Sequence, residues 1–185
     1  MTVRVNKPEF NLREKLSELD YAHVPYEKMP AGSVIQASTL NIDQSVTFSS
    51  ANFVTAYTHQ FRPKIANSTT VHHFWSKTYL HNGTESTGQD YRLLGGLSTL
   101  DIDSNELIIR SSWQHYLNRS DYTADYYAPC DFIAFHKPNT TNLYNYTFQG
   151  RKYGGTAAGW IIGDTNMSGG PSDNRGCWII YEVVQ

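Results

Sequence analysis

The chain has 185 residues, with 15 Lys and Arg against 17 Asp and Glu and a formal net charge of −2. That length holds one ordinary domain plus an extension, and its scattered basic residues give no electrostatic footprint for a nucleic-acid backbone. No apolar run reaches the ~18–20 residues of a membrane span, and Met1 to Asn11 lacks the apolar core of a signal peptide, so a soluble chain without membrane insertion is expected.

The N-terminus reads as a tether. Asn11 is placed as an N-cap, Glu14 stands three residues on as in a capping box, and Phe10 precedes the cap as a staple residue. A short helix is expected there, with Leu12, Leu16 and Leu19 at i, i+4 and i+7 forming one apolar stripe opposite Arg13, Glu14, Lys15 and Glu18. A helix of about eight residues is below the ~12–15 that stand alone in water, so these leucines need a surface, either the chain's own domain or a partner. Asp20 to Ala31 carries Pro25 and Pro30 and reads as an extended spacer, with a domain boundary at 31–33.

From Ser33 onward the pattern changes. Thirteen tyrosines, with many Thr, Ser, Asn and Gly, make a β-rich inventory. Ser33 to Leu40 and Gln44 to Ser49 read as two strands able to form a hairpin across Asn41 and Asp43. Val54 to Arg62 is a third strand, stopped by Pro63. Thr70 to His81 is the longest, with mixed residues on both faces and therefore a candidate for burial on both sides. Asn82-Gly83 opens a polar loop reaching Asp90; Tyr91 to Leu94 is a short strand ended by Gly95-Gly96. Glu106 to Arg110 and Trp113 to Leu117 make the next pair, and Asn118 to Pro129 is a loop carrying Tyr122, Tyr126 and Tyr127. Phe132, Ala134 and His136 alternate against Asp131, Ile133 and Phe135 until Lys137-Pro138-Asn139. Leu143 to Gln149 sets Tyr144, Tyr146 and Phe148 on an aromatic face, Trp160 to Ile162 is a short apolar strand, and Cys177 to Val184 suits a central strand. About eight to eleven short strands at this spacing imply an all-β domain over 33–185, a β-sandwich or jelly roll.

Motifs for chemistry are sparse. His72 and His73 near His81 and Asp90 suggest a metal, but strand neighbours point to opposite faces and do not converge on one ion. Asp101, Asp103 and Asn105 resemble the start of a calcium loop, yet the sixth position is Glu106, not glycine, and the twelfth is Ser112, not an acid. No Gly-x-Ser-x-Gly elbow, paired nucleophilic Cys or phosphate loop is legible, and Glu85, Asp121 and Asp125 share no site pattern for a glycan hydrolase. The expectation is a non-enzyme with no cofactor and no metal. Cys130 and Cys177 are too few for a disulfide scaffold and read as reduced structural thiols. Six Asn-x-Ser/Thr sites, at Asn67, Asn82, Asn118, Asn139, Asn145 and Asn166, read as by-products of an Asn/Thr-rich β surface. Tyr122, Tyr126, Tyr127 and Tyr153, beside Asn and Asp, are candidates for a sugar-stacking or protein-contact surface.

The segment Arg4-Val5-Asn6-Lys7-Pro8-Glu9-Phe10-Asn11-Leu12-Arg13-Glu14-Lys15-Leu16-Ser17-Glu18-Leu19-Asp20, continued by Met29-Pro30-Ala31-Gly32-Ser33-Val34-Ile35-Gln36, resembles the N-terminus of structural proteins from tailed bacteriophages, marine ones especially. That resemblance implies a virion protein assembled in the host cytoplasm. Residues 1–32 would dock on other virion proteins through Phe10, Leu12, Leu16 and Leu19, and a β-domain would project as a homotrimer. The projecting domain would serve as a tail-fibre module for a host surface glycan or protein, or as a capsid decoration knob.

Overall fold

The computed structural model describes residues 25–83, 88–97, 105–111, 124–153, 159–163 and 176–185. They build ten strands: β1 (Val34–Asn41), β2 (Val46–Phe48), β3 (Val54–Phe61), β4 (Thr69–Gly83), β5 (Gly88–Gly96), β6 (Glu106–Ser111), β7 (Ala124–His136), β8 (Tyr144–Tyr153), β9 (Trp160–Ile162) and β10 (Gly176–Val183). One 3-10 turn, Tyr26–Lys28, precedes them, and no α-helix occurs among the described residues. The expected N-terminal helix and the strand expected at Trp113 to Leu117 lie outside the described residues.

All pairing is antiparallel. One sheet runs β1-β10-β4-β7, with β9 and then β2 continuing it beside the far half of β4; the other runs β3-β8-β5-β6. With β2 and β9 set aside as insertions, the eight remaining strands in chain order fill the places first, eighth, third and sixth in one sheet, and second, seventh, fourth and fifth in the other. That is the connectivity of two interlocked Greek keys, a jelly roll. The expected all-β sandwich is therefore the fold.

Local chemistry explains most of the elements. β3 ends before Pro63, which has no N–H for the ladder. β10 is a central strand, between β1 and β4, with Trp178, Ile180 and Glu182 turned inward and fully buried. β9 spans the residues expected of it. Two glycines are required by shape. A Cβ on Gly150 would lie 2.5 Å from the Phe48 ring, and Gly176, at φ +134, has Trp75 backbone against the place a Cβ would take.

Several expectations are corrected. β1 and β2 form no hairpin, because β1 pairs with β10 and β2 with β9; the register is set by long-range ladders, not by the turn at Asn41 and Asp43. β4 buries one main face, Thr70, His72, Phe74, Ser76 and Thr78, while His73 and Trp75 stay exposed, so it is not covered on both sides along its length. Asn82-Gly83 ends β4 instead of turning it, and β5 starts at Gly88 and runs through Gly95 and Gly96, since ladder bonds to β8 are available along all nine residues. The expected loop at Asn118 to Pro129 is strand from Ala124, with Pro129 inside β7. Proline is tolerated there because, among the described residues, β7 is an edge strand pairing with β4 alone. Finally β8, expected to be amphipathic, is buried on both faces from Tyr144 to Gly150.

The core lies between the sheets and is aromatic. Phe148 stacks on Phe74 at 4.5 Å between ring centroids, on Tyr91 at 5.3 Å and on Phe132 at 5.7 Å, while Trp178 meets Phe74 edge-on at 6.1 Å. Cys130 is buried within this cluster and Cys177 is half-buried; both are free thiols.

Candidate functional site

The ladders give the sandwich two poles. At one, the Gly32 N–H donates to Val184 O at 2.8 Å and the Val184 N–H to Ser33 O at 3.0 Å, so the chain enters and leaves the β-domain at one corner. β4 leads away from this pole: Thr70 faces Glu182 and His136, and Gly83, at the other end, faces Ala124. Fifteen residues at ~3.3 Å per residue make that length roughly 45 Å. At the far pole the backbone of β7 carries Tyr126 and Tyr127, registered against Leu80 and Tyr79, and Tyr153 ends β8 opposite Gly88, which follows Gly83 by five positions. Three of the four surface tyrosines named from sequence thus have their backbones at one pole. Tyr122, like Phe10, Leu12, Leu16 and Leu19, lies outside the described residues, as do Glu85 and Asp121.

The two outer faces differ. On the β8 sheet the outward side carries a laterally bonded polar row, in which Gln60 Nε2 donates to Asn145 Oδ1 at 3.1 Å, Gln149 Nε2 to Thr55 Oγ1 at 3.0 Å and Arg92 Nε to Gln149 Oε1 at 2.7 Å, together with Leu94 and the exposed Leu107, aligned with Thr147. Arg92 and Arg151 both cover the Phe53 ring, at 4.2 and 4.7 Å from its centroid, and Arg151 holds Asp90 at 2.6 Å. Asn145 is buried in this ladder, which rules it out as a glycan acceptor in the folded domain; Asn67 and Asn139 are exposed. On the β4 sheet the outward rows are Phe135, Val71, Tyr181 and Ala37, then Ile133, His73, Ile179 and Thr39. Phe135 is 69% exposed and Ile133 59%. Sequence reasoning passed over this face, although the signal was there: β7 is apolar on both sides, which an edge strand does not need for its own core.

Inside the pole nearest Gly32, alternation turns polar groups inward and a hydrogen-bonded chain forms. Trp178 Nε1 lies 3.3 Å from His72 Nδ1, His72 Nε2 3.1 Å from Thr70 Oγ1, Thr70 Oγ1 3.0 Å from Tyr146 Oη, Tyr146 Oη 3.1 Å from His136 Nδ1, and His136 Nε2 3.2 Å from Glu106 Oε2. An indole only donates and a carboxylate only accepts, so the two ends fix the direction. Every link donates toward Glu106, and both histidines carry their proton on Nε2. The Thr70 hydroxyl is shared with His136 O at 3.1 Å. Burial, reinforced by His136 and His59, lowers the pKa of His72 to about 3. Burial lowers His59 to about 4; its Nε2 meets Ser38 Oγ at 2.9 Å. His136 is also lowered by burial, against the pull of Glu106. All three are neutral at pH 7. Burial raises the Tyr146 pKa, so its hydroxyl stays protonated.

His72 and His73 take opposite faces, as the strand geometry requires, and among the described residues no three His, Cys, Asp or Glu side chains are placed to hold a metal. The buried carboxylate Glu182 is filled by other donors: the Lys64 and Ile65 N–H groups at 2.9 Å, and Ser68 Oγ and Gln36 Nε2 at 2.7 Å. It anchors the segment after β3 to β10 and leaves no free lone pair facing a cleft. These buried polar groups are structural, each engaged with another part of the fold. Among the described residues no helix is long and apolar enough to cross a membrane.

No family model matches the chain, and no curated protein matches it. Among solved structures it is similar to the VP2 subviral particle of infectious bursal disease virus, at 12% identity and a TM-score of 0.39, over 82% of this chain and 38% of that one. It is also similar to T=1 particles derived from the same virus, at 12% identity and a TM-score of 0.37, over 83% of this chain and 37% of that one. A third is infectious bursal disease virus Gt strain, at 12% identity and a TM-score of 0.36, over 83% and 39%. The chain thus spans about two fifths of the length of the viral proteins it matches.

Proposed function

We propose that this chain is a non-enzymatic virion structural protein of a tailed bacteriophage. Residues 1–32 dock it on other virion proteins through Phe10, Leu12, Leu16 and Leu19, and the jelly roll projects as a homotrimer for recognition of a host surface glycan or protein. The observation that carries this reading is the separation of the poles. The chain enters the β-domain at Gly32, and the backbones of Tyr126 and Tyr127, registered against Leu80 and Tyr79, lie roughly 35 Å along β4 from Thr69, with Tyr153 ending β8 on the same side. A tether at one end with aromatic residues at the other is the arrangement an adhesive module needs. The N-terminal resemblance to phage structural proteins points the same way. Fold alone does not assign the role, since jelly rolls serve in capsids, lectins and cupins.

Quantitative mass spectrometry of purified particles tests it, through the copy number of this chain relative to the major capsid protein. A few copies per particle support a tail appendage with host recognition as its task. A ratio near that of the capsid lattice supports the capsid decoration role instead. Complete absence overturns the virion reading, and reducing-sugar release from host envelope, abolished by a single Asp or Glu substitution, would then establish a glycan hydrolase.

A further inference from the structure

We propose that β1, the strand joined directly to the leading segment, is an acid-released strap: acidification favours its detachment from the domain, because His59 lies beneath it and the charged ring has no partner there. The inference goes beyond the reading above and concerns the isolated chain, whatever particle it belongs to.

β1 is weakly embedded. None of its eight residues is buried, while β10 beside it buries every second one. Among its apolar side chains only Leu40 packs against the aromatic core, and β10 is its one ladder partner among the described residues. Strands held this way open locally at far less cost than global unfolding. Across the sandwich β1 reaches the other sheet's edge through Ser38 Oγ, 2.9 Å from His59 Nε2, and through Gln36 Nε2, which donates to Arg62 O at 2.7 Å.

His59 stands on β3, 5% exposed and edge-on to Trp178 at 5.4 Å between ring centroids. Its Nδ1 is buried and has no hydrogen-bond partner among the described residues. A neutral ring leaves a bare lone pair there and donates from Nε2 to Ser38. A protonated ring puts an N–H on Nδ1 with nothing to accept it. No neighbour offsets the charge either. β1 and the rest of β3 carry no charged residue, and the group facing from β4 is His72, itself a base. Tyr146 of β8, registered opposite His59, keeps its proton. Glu182 of β10 is registered with Gln36, two residues before Ser38, and is spent on Lys64, Ile65, Ser68 and Gln36.

The other two histidines respond differently. His136, at the opposite edge, has Glu106 at 3.2 Å to take its charge, and its neighbours can reverse: Tyr146 then accepts from Nδ1 and donates to Thr70, whose hydroxyl passes to His136 O at 3.1 Å. No hydrogen bond is lost there. His72 sits on β4, between β10 and β7, and is uncovered only when the core opens. Acid therefore acts locally on β1. Freed from β10, its eight residues at ~3.3 Å each would lengthen the segment ahead of the domain by roughly 25 Å.

Hydrogen exchange read by mass spectrometry on the full chain, at about pH 7.5 and about pH 5 and corrected for intrinsic rates, tests this. With a folded pKa of about 4 against 6.5 once the ring is uncovered, the open population of β1 is expected to rise about 30-fold, and Val34–Asn41 to lose that much protection. The end of β7 at His136 should change less. In His59→Gln, whose amide still donates to Ser38, the pH effect on β1 should vanish. Ser38→Ala should speed exchange of β1 at both pH values and keep the ratio, since His59 stays in place. Unchanged protection of β1 in the wild type overturns the proposal, as does an equal pH effect in His59→Gln. The wild type alone also decides: β1 losing protection in step with β8 would mean global opening and no strap.

Discussion

The middle of the core and the end nearest Gly32 are built by the same alternation and are equally buried, yet they are held together differently. In the middle, Phe74, Phe132 and Phe148 stack with Tyr91, and cohesion is area and dispersion. At the end, His72, Thr70, Tyr146 and His136 pass hydrogen bonds in one direction, and cohesion depends on every imidazole staying neutral. The lesson is that an inward position in this sandwich is defined by burial and not by polarity. A polar residue is admitted wherever the opposite sheet supplies its partner.

The sharpest way to break the first half of that comparison is Phe148→Ala. Phe148 touches four aromatic rings and is fully buried, so a loss of about 3–5 kcal/mol is expected in denaturant titration at pH 7. A loss below 1 kcal/mol would mean the stack is not the centre of the core.

The second half is read by acid. The folded pKa values of His59 and His72 lie below the ordinary 6.5, at about 4 and about 3, so below pH 6.5 the unfolded chain takes up protons that the folded one refuses. Stability is therefore full above pH 6.5 and falls as pH drops, at up to about 1.4 kcal/mol per pH unit for each histidine, until about pH 4 for His59 and about pH 3 for His72. Urea midpoints between pH 7.5 and 4 check this. In His72→Gln, whose amide can still accept from Trp178 and donate to Thr70, the slope should shrink by one histidine's share. An unchanged slope would place the titration elsewhere.

Smaller effects sharpen the contrast. Tyr146→Phe keeps the ring but removes the hydroxyl between Thr70 and His136, and should cost about 1–3 kcal/mol at pH 7. Glu106→Gln, at the solvent end of the chain where the carboxylate is 66% exposed, should change stability by no more than about 0.5 kcal/mol. If the two variants cost the same, the chain behaves as one unit to its exposed end.

Local signals were legible and long-range ones were not. Tyr144, Tyr146 and Phe148 were assigned to one face from period-2 alternation, and that face is the inner face of β8. Pro63 closed β3, and the apolar C-terminal run became a central strand. Partners were another matter. Val34–Asn41 pairs with β10, more than 130 positions away in sequence, and nothing in either strand's composition encodes that choice against the nearer β2. Pro129 hid the first half of β7, while Asp131 to His136 was legible, because proline signals a break unless the strand is known to be an edge. The histidine chain was invisible for a related reason. Counted by polarity, His72 and Thr70 interrupt an inward face, and they complete it only once Trp178 arrives from the neighbouring strand and Tyr146 from the opposite sheet. Of the site residues, the backbones of Tyr126, Tyr127 and Tyr153 come to one pole, while the exposed apolar rows of β7 and β4 escaped a search for chemistry because they carry none.

The bonds between Gly32, Ser33 and Val184 have a mechanical consequence. Antiparallel ladder bonds lie across their strands, so the direction of a pull decides how many resist at once. Tension between the two ends of the β-domain would peel β1 from β10 one pair at a time. Tension between Gly32 and the far pole would instead slide β1 along β10 and load its seven registered pairs together. A domain tethered by its leading segment and gripped at the distant tyrosine pole is thus strained along its stronger axis.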